Sequence, residues 1–364
     1  MIRLIHTADI HLDAPFAYLP FDKQTLKRQA LRQALADVVD LTLNNQAAAL
    51  VVAGDLFNSP EPTADTIAFV IGEFNRLDGR TQVIVVPGNH DFYQPGGVWD
   101  AAPWPAHAVI FREDKWSGVE LASGGATVAG IACHRGGTER NVLRDLAGKS
   151  LALAVMHGAH KLDFYEGRQS YPFSESEAAA LVVGYIALGH YHNFSRVGKT
   201  AAYYSGTPEG LCFDETGGRC ALLVELGAGA AKVRQLETGR YEYGQHRLDC
   251  TALSSSTELE GAAAALGGPA TLLKIDLIGT PPLGFDADTE ALTVRLADSF
   301  FYIDIKDRLE LPPGEFPVGD RTVKAQFWVR MQAKLADAGD EEAKHVINLA
   351  TRLGLAALEG RSQK

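Results

Sequence analysis

Four short apolar runs, each ending abruptly in polar residues, constrain this chain more than any other feature. Leu50-Val51-Val52-Ala53 runs into Gly54-Asp55, and Val83-Ile84-Val85-Val86 into Pro87-Gly88-Asn89-His90-Asp91. Leu151 to Val155 runs into Met156-His157-Gly158, and Tyr185-Ile186-Ala187-Leu188 into Gly189-His190-Tyr191-His192. Runs so short and continuous suit strands buried on both faces, which predicts helices over both sides of the sheets. Gln24 to Leu43 carries Leu31, Leu35, Val38, Val39 and Leu41 at helical spacing, and Thr63 to Leu77 does likewise with Pro62 at its start. Alternating strands and helices define an α/β domain. In each run the polar residues sit just past the strand's C-terminal end, where open α/β sheets build their sites.

From about Arg219 the texture turns to hairpins, Cys220 to Leu226 and Lys232 to Glu237. After Cys250 it changes again. Ser254-Ser255-Ser256-Thr257-Glu258 reads as a helix N-terminus, followed by a strand (Leu272 to Leu277), a helix (Thr289 to Leu296) and a strand (Phe300 to Ile305). Pro312-Pro313-Gly314 reads as a linker, and Thr322 to Leu358 as helical, broken near Gly339. The expected division is a site-bearing domain over 1–248, a small αβαβ domain over 249–312, and a linker with a helical tail over 313–364.

The formal charge of -11 argues against binding nucleic acid by overall electrostatics, and leaves open a local basic groove. Cys133, Cys212, Cys220 and Cys250 are scattered without a C-x-x-C pair, which suits reduced thiols. No signal-peptide pattern opens the chain and no apolar run reaches the ~18 residues of a spanning helix, so the expectation is a cytoplasmic protein without a membrane partner.

Gathered at the strand ends are Asp9, His11, Asp55, Asn89, His90, His157, His190 and His192. Carboxylates and imidazoles without thiolate suit divalent first-row ions such as Mn, Fe or Zn. Asp9 and His11 follow the strand Ile2 to Ile5, and alternate residues of an extended backbone face one way, so this pair can grip one ion. His190 and His192 repeat the arrangement. Asp55, a lone carboxylate after glycine, suits bridging two ions, and Asn89 can add a neutral oxygen. Two ions ~3.5–4 Å apart clamp a phosphoryl group and activate water, and His90 is the natural proton donor to the leaving oxygen. Taken singly, Asp55 could be a helix cap and Gly88-Asn89 an ordinary turn. Their conjunction in this order is what points to a site. His6, His107, His134, His160, His246 and His345 lack such support and default to structure or surface.

The ordered set Asp9-x-His11, Gly54-Asp55, Gly88-Asn89-His90-Asp91, His157 and Gly189-His190-x-His192 resembles the calcineurin-like metallophosphoesterase signature over roughly residues 1 to 240. The resemblance implies two facing mixed β-sheets flanked by helices, a small α+β capping domain and a helical C-terminal tail. It implies one ion on Asp9, His11, Asp55 and His192, and the other on Asp55, Asn89, His157 and His190. His90 takes the catalytic histidine's place, with Asp91 orienting a neighbouring group.

Thr7 to Asp13, Ala53 to Phe57, Tyr171 to Glu175, Ala187 to His192 and Tyr204 to Gly210 resemble the SbcD/YhaO-like DNA repair exonuclease branch. Protein Ser/Thr phosphatases differ after Gly54-Asp55 and at Asp91. The branch implies DNA as substrate, two divalent ions with manganese first, a homodimer, and a coiled-coil ATPase partner of SbcC type. It also places a phosphate-positioning histidine where this chain has Asn58, which turns part of the expectation toward small or cyclic nucleotides. A third expectation, a non-catalytic scaffold, fits poorly with a complete ligand set.

Overall fold

A computed structural model describes residues 1–358 except 78, 80, 136–139, 161–169, 216, 228, 283, 284, 286 and 311–321. The linker expected at Pro312-Pro313-Gly314 lies outside the described residues. The chain divides into two compact units, Met1–Glu242 and Tyr243–Lys364.

The first unit is built on two six-stranded mixed sheets. In one, Ile2–Thr7 is flanked by antiparallel Arg219–Leu226 on one side and by parallel Ala49–Val52 on the other, with Gln82–Val85 and Ala108–Ile110 continuing in parallel. In the other, Thr127–Gly130, Ser150–His157, Val182–Gly189 and Ala202–Tyr204 run parallel. The apolar runs are strands, as expected, but helices do not cover both their faces. Leu4, Val51 and Ile84 of one sheet share a core with Leu153, Val155, Tyr185 and Ala187 of the other. A strand buried on both faces needs apolar cover, and a facing sheet supplies it as well as a helix does. The remaining faces take helices and loops. Phe21–Asn44 lays Leu31, Leu35, Val38 and Val39 against the first sheet, all fully buried. The helix Ala64–Asn75 is capped by Thr63, whose side chain accepts from Thr66 N; Pro62 precedes the cap instead of opening the helix.

The second unit sets a three-stranded sheet against the helices Ser256–Ala264 and Thr289–Leu296, with Leu273, Ile275, Leu277, Leu292 and Leu296 in its core. The sheet's third strand is Glu242–Asp249, so the division falls at Glu242 and not at 248. Nothing in its polar sequence marks the change of unit, and only its pairing assigns it there. The tail forms the helices Val323–Ala336 and Glu341–Leu358. Arg352 there grips Asp307 with two hydrogen bonds, at 3.2 and 2.8 Å. None of the described helices is long and apolar enough to cross a membrane, and all the cysteines are free thiols.

One buried ion pair ties the first long helix to the loop after Ala202–Tyr204. Lys27 Nζ donates to Glu209 Oε1 and to Gly210 O (2.9 Å), and both side chains are fully buried. Removing one partner strands a charge away from water, which costs about 3–5 kcal/mol. Lys27→Met should therefore lose stability of that order in urea unfolding, and Lys27→Met/Glu209→Leu should recover most of it. A single variant as stable as the wild type would show that the pair contributes nothing.

Candidate metal centre

The centre grows from strand ends where the backbone leaves the extended region. Past Ile2–Thr7, Asp9 and His11 have φ of 54° and 51°; Asp55 lies at 51° and His190 at 100°. Side chains other than glycine seldom adopt the left-handed region, and such residues persist only where surrounding structure holds them. Extended alternation therefore does not aim Asp9 and His11, contrary to the expectation from spacing. A second loop aims them: Asp9 N donates to Gly54 O, His11 N to Asp55 O and Leu12 N to Leu56 O, each at 3.0 Å. Gly54 (φ 98°) is required twice over, by its backbone and because a Cβ there would run into the His157 ring.

The expected donors converge. Asp9, His11 and His192 offer atoms within 4.8 Å of one another, as do Asp9, Asp55 and His157. Asn89 Oδ1 lies 2.9 Å from His157 Nε2 and 3.0 Å from His190 Nδ1. His157 Nε2 is 3.3 Å from Asp55 Oδ2, which is 3.6 Å from His11 Nε2. Asp9, His11, Asp55 and His157 are buried, while Asn89, His190 and His192 are half-buried. His90 also falls within reach of His11 and Asp55, yet it alone among the expected ligand and catalytic residues of the cluster is exposed.

These residues fit divalent cations. The His11 Nε2 atom is buried without a hydrogen bond, a costly state for a ring nitrogen unless a cation takes its lone pair. The donors are carboxylate, imidazole and one amide oxygen, the set expected for first-row ions. Electrostatics agree. Burial, with help from the charge of Asp55, pushes Asp9 up to about 6, against the pull of His157. Burial disfavours charge on Asp55 and His157 alike, but their mutual attraction wins, holding Asp55 below the usual carboxylate range and raising His157 to about 9. Burial takes His11 and His190 down to about 3. Acids and bases thus compete for protons in a largely buried cluster, and a cation seated there would displace them.

Asp91 serves the loops. It is buried, accepts from Phe57 N (3.1 Å) and Gly88 N (2.6 Å), and so joins the Gly54–Asn58 turn to the Gly88–Asp91 turn. Burial first, then the charge of Asp55, raises it to about 7. The Asn58 carbonyl lies 3.4 Å from His90 Nδ1. Other histidines stand outside the cluster: His6 bonds Tyr185 Oη at 2.9 Å, and His107 and His134 bond backbone carbonyls. One residue escaped the sequence. Glu215 Oε1 lies 2.6 Å from His192 Nδ1, and a lone loop glutamate at a separation of 23 residues carries no spacing signal.

The calcineurin-like phosphoesterase profile matches residues 2–194. The metallophosphoesterase YhaO of Bacillus subtilis is 26% identical over 238 residues, 62% of this chain and 57% of YhaO. The DNA double-strand break repair protein Mre11 of Methanosarcina acetivorans is 26% identical over 224 residues, 57% of this chain and 34% of that protein. A component of the nuclease SbcCD of Rhodobacter capsulatus, SbcD, is 33% identical over 97 residues, 25% of this chain and 22% of SbcD. The chain thus spans well under two thirds of the length of each of these relatives. With the profile over more than half its length, the chain belongs to the calcineurin-like phosphoesterases, a family of metal-dependent hydrolases.

Proposed function

We propose that this chain is a two-metal phosphodiesterase that hydrolyses DNA, working in the cytoplasm as a homodimer with an ATPase partner of SbcC type. The observation that carries the reading is one exposed imidazole, His90, beside a buried cluster of carboxylate, imidazole and amide donors. Asp9, His11, Asp55 and His192 hold one ion; Asp55, Asn89, His157 and His190 hold the other. Manganese is the first choice among Mn, Fe and Zn. Such ions supply positive charge to the phosphoryl oxygens and lower the pKa of water.

The protein's own part is positioning and proton transfer. His90 N donates to Asp55 Oδ1 at 2.8 Å, which anchors the backbone of His90 to the cluster. Its Nδ1 faces the Asn58 carbonyl, an acceptor, and Nε2 serves as the donor to the leaving alkoxide. Asp91 keeps the two turns in register through Phe57 N and Gly88 N. DNA is favoured as substrate by relatives named as a DNA repair protein and a nuclease component. The tail leaves Val329, Val346, Leu353 and Leu358 exposed, an apolar surface suited to the ATPase.

A second reading, hydrolysis of small or cyclic nucleotides by the same residues, is favoured by Asn58 in the position where the nuclease branch carries histidine, and by the charge of -11.

With manganese, the chain should degrade end-labelled DNA, and His90→Ala should slow it by about 10²–10⁴-fold. Full activity in His90→Ala would remove the proton-donor role; hydrolysis of cyclic nucleotides with DNA left intact would establish the second reading. An SbcC-type ATPase should co-purify with the whole chain and not with a chain truncated after Gly314. Capture of the ATPase by the truncated chain would refute the docking role of the tail.

A further inference from the structure

The His192 ring rests on a carboxylate that is not itself among the expected ligands. Glu215 is almost fully buried, and its Oε1 lies 2.6 Å from His192 Nδ1. Its other oxygen accepts from Leu211 N at 2.7 Å and from Thr207 Oγ1 at 3.4 Å, with Arg219 Nη1 3.9 Å away. Arg219 closes the loop: Nη1 donates to His192 O at 3.0 Å and to Thr207 Oγ1 at 3.3 Å. Backbone and ring of His192 are thus held by one connected group of residues.

A ring nitrogen that donates to a carboxylate leaves the opposite nitrogen, Nε2, with its lone pair outward, and makes that lone pair a stronger donor. His157, by contrast, turns Nδ1 to a neutral acceptor, the Ala53 carbonyl, at 3.1 Å. In the ligand sets proposed above, the ion on His192 has two carboxylates, Asp9 and Asp55, and the ion on His157 has Asp55 and a neutral amide; Asp9 itself lies near both rings.

We infer that Glu215 is a positioning residue that fixes the tautomer of His192 and makes the ion site on Asp9, His11 and His192 the tighter of the two, so that the sites fill in order. This deepens the two-metal reading and rests on it. The chain stripped of metal is titrated with Mn²⁺, with heat read by calorimetry and free ion by electron paramagnetic resonance. Wild type should bind in two separated steps. Glu215→Gln should weaken the tight step about 10–100-fold and leave the other unchanged, and Glu215→Asp should fall between. In a His192→Ala background, Glu215→Gln should cost nothing more, an outcome a merely structural carboxylate would not produce. Where Glu215→Gln does not fold, Glu215→Asp and its His192→Ala pairing carry the comparison. The inference is overturned if Glu215→Gln binds both ions as wild type does, weakens both equally, or weakens binding just as much without His192. A wild type that binds no manganese would instead overturn the two-metal reading beneath it.

Discussion

Three backbone hydrogen bonds between the loop at Asp9–Leu12 and the loop at Gly54–Leu56 are the constraint on which the rest of the centre depends. Each loop follows a parallel strand of one sheet, and the strands' pairing brings the loops side by side. The left-handed backbone at Asp9, His11 and Asp55 then aims three donors into one volume. Such a backbone costs of order 1–3 kcal/mol per residue, and the apolar core between the sheets is what can offset it. The second sheet answers from the other side. There His157 and Gly189 pair in register, which sets the His157 ring against the turn that carries His190.

Packing and chemistry meet in the charges. The centre gathers buried carboxylates and imidazoles, and burial penalises charge on Asp9, His11 and His157 alike. Attraction between Asp55 and His157 is the largest influence opposing burial at both, holding Asp55 low and His157 high. A buried pair of this kind contributes little net stability, because desolvation opposes attraction. Its presence makes sense as a cost that bound cations offset, and His11, with a buried nitrogen lacking any hydrogen bond, points the same way.

Much of this was legible in the sequence because the relevant signals are local. An apolar run ending in Gly-Asp or Gly-Asn-His-Asp announces a strand and its terminal loop, and the order of such ends marked the residues that converge in the fold. What was not legible depends on tertiary pairing. Asp9 and His11 share a direction through left-handed turns held by a distant loop, not through strand alternation. Hydrophobicity alone cannot tell a covering sheet from a covering helix; the two facing sheets were expected from the motif resemblance, and that expectation is met. Glu242–Asp249 belongs to the second unit through its partners alone. Glu215 meets His192 only because the Thr207–Arg219 segment folds back, which no spacing rule encodes.

The central claim is that these side chains hold two ions in one centre. Anomalous diffraction at the manganese edge from crystals of the full chain grown with Mn²⁺ tests it most directly. The account predicts two peaks ~3.5–4 Å apart, one beside Asp9, His11 and His192, the other beside Asn89, His157 and His190, with Asp55 between them. A single peak, or peaks away from Asp55, would contradict it.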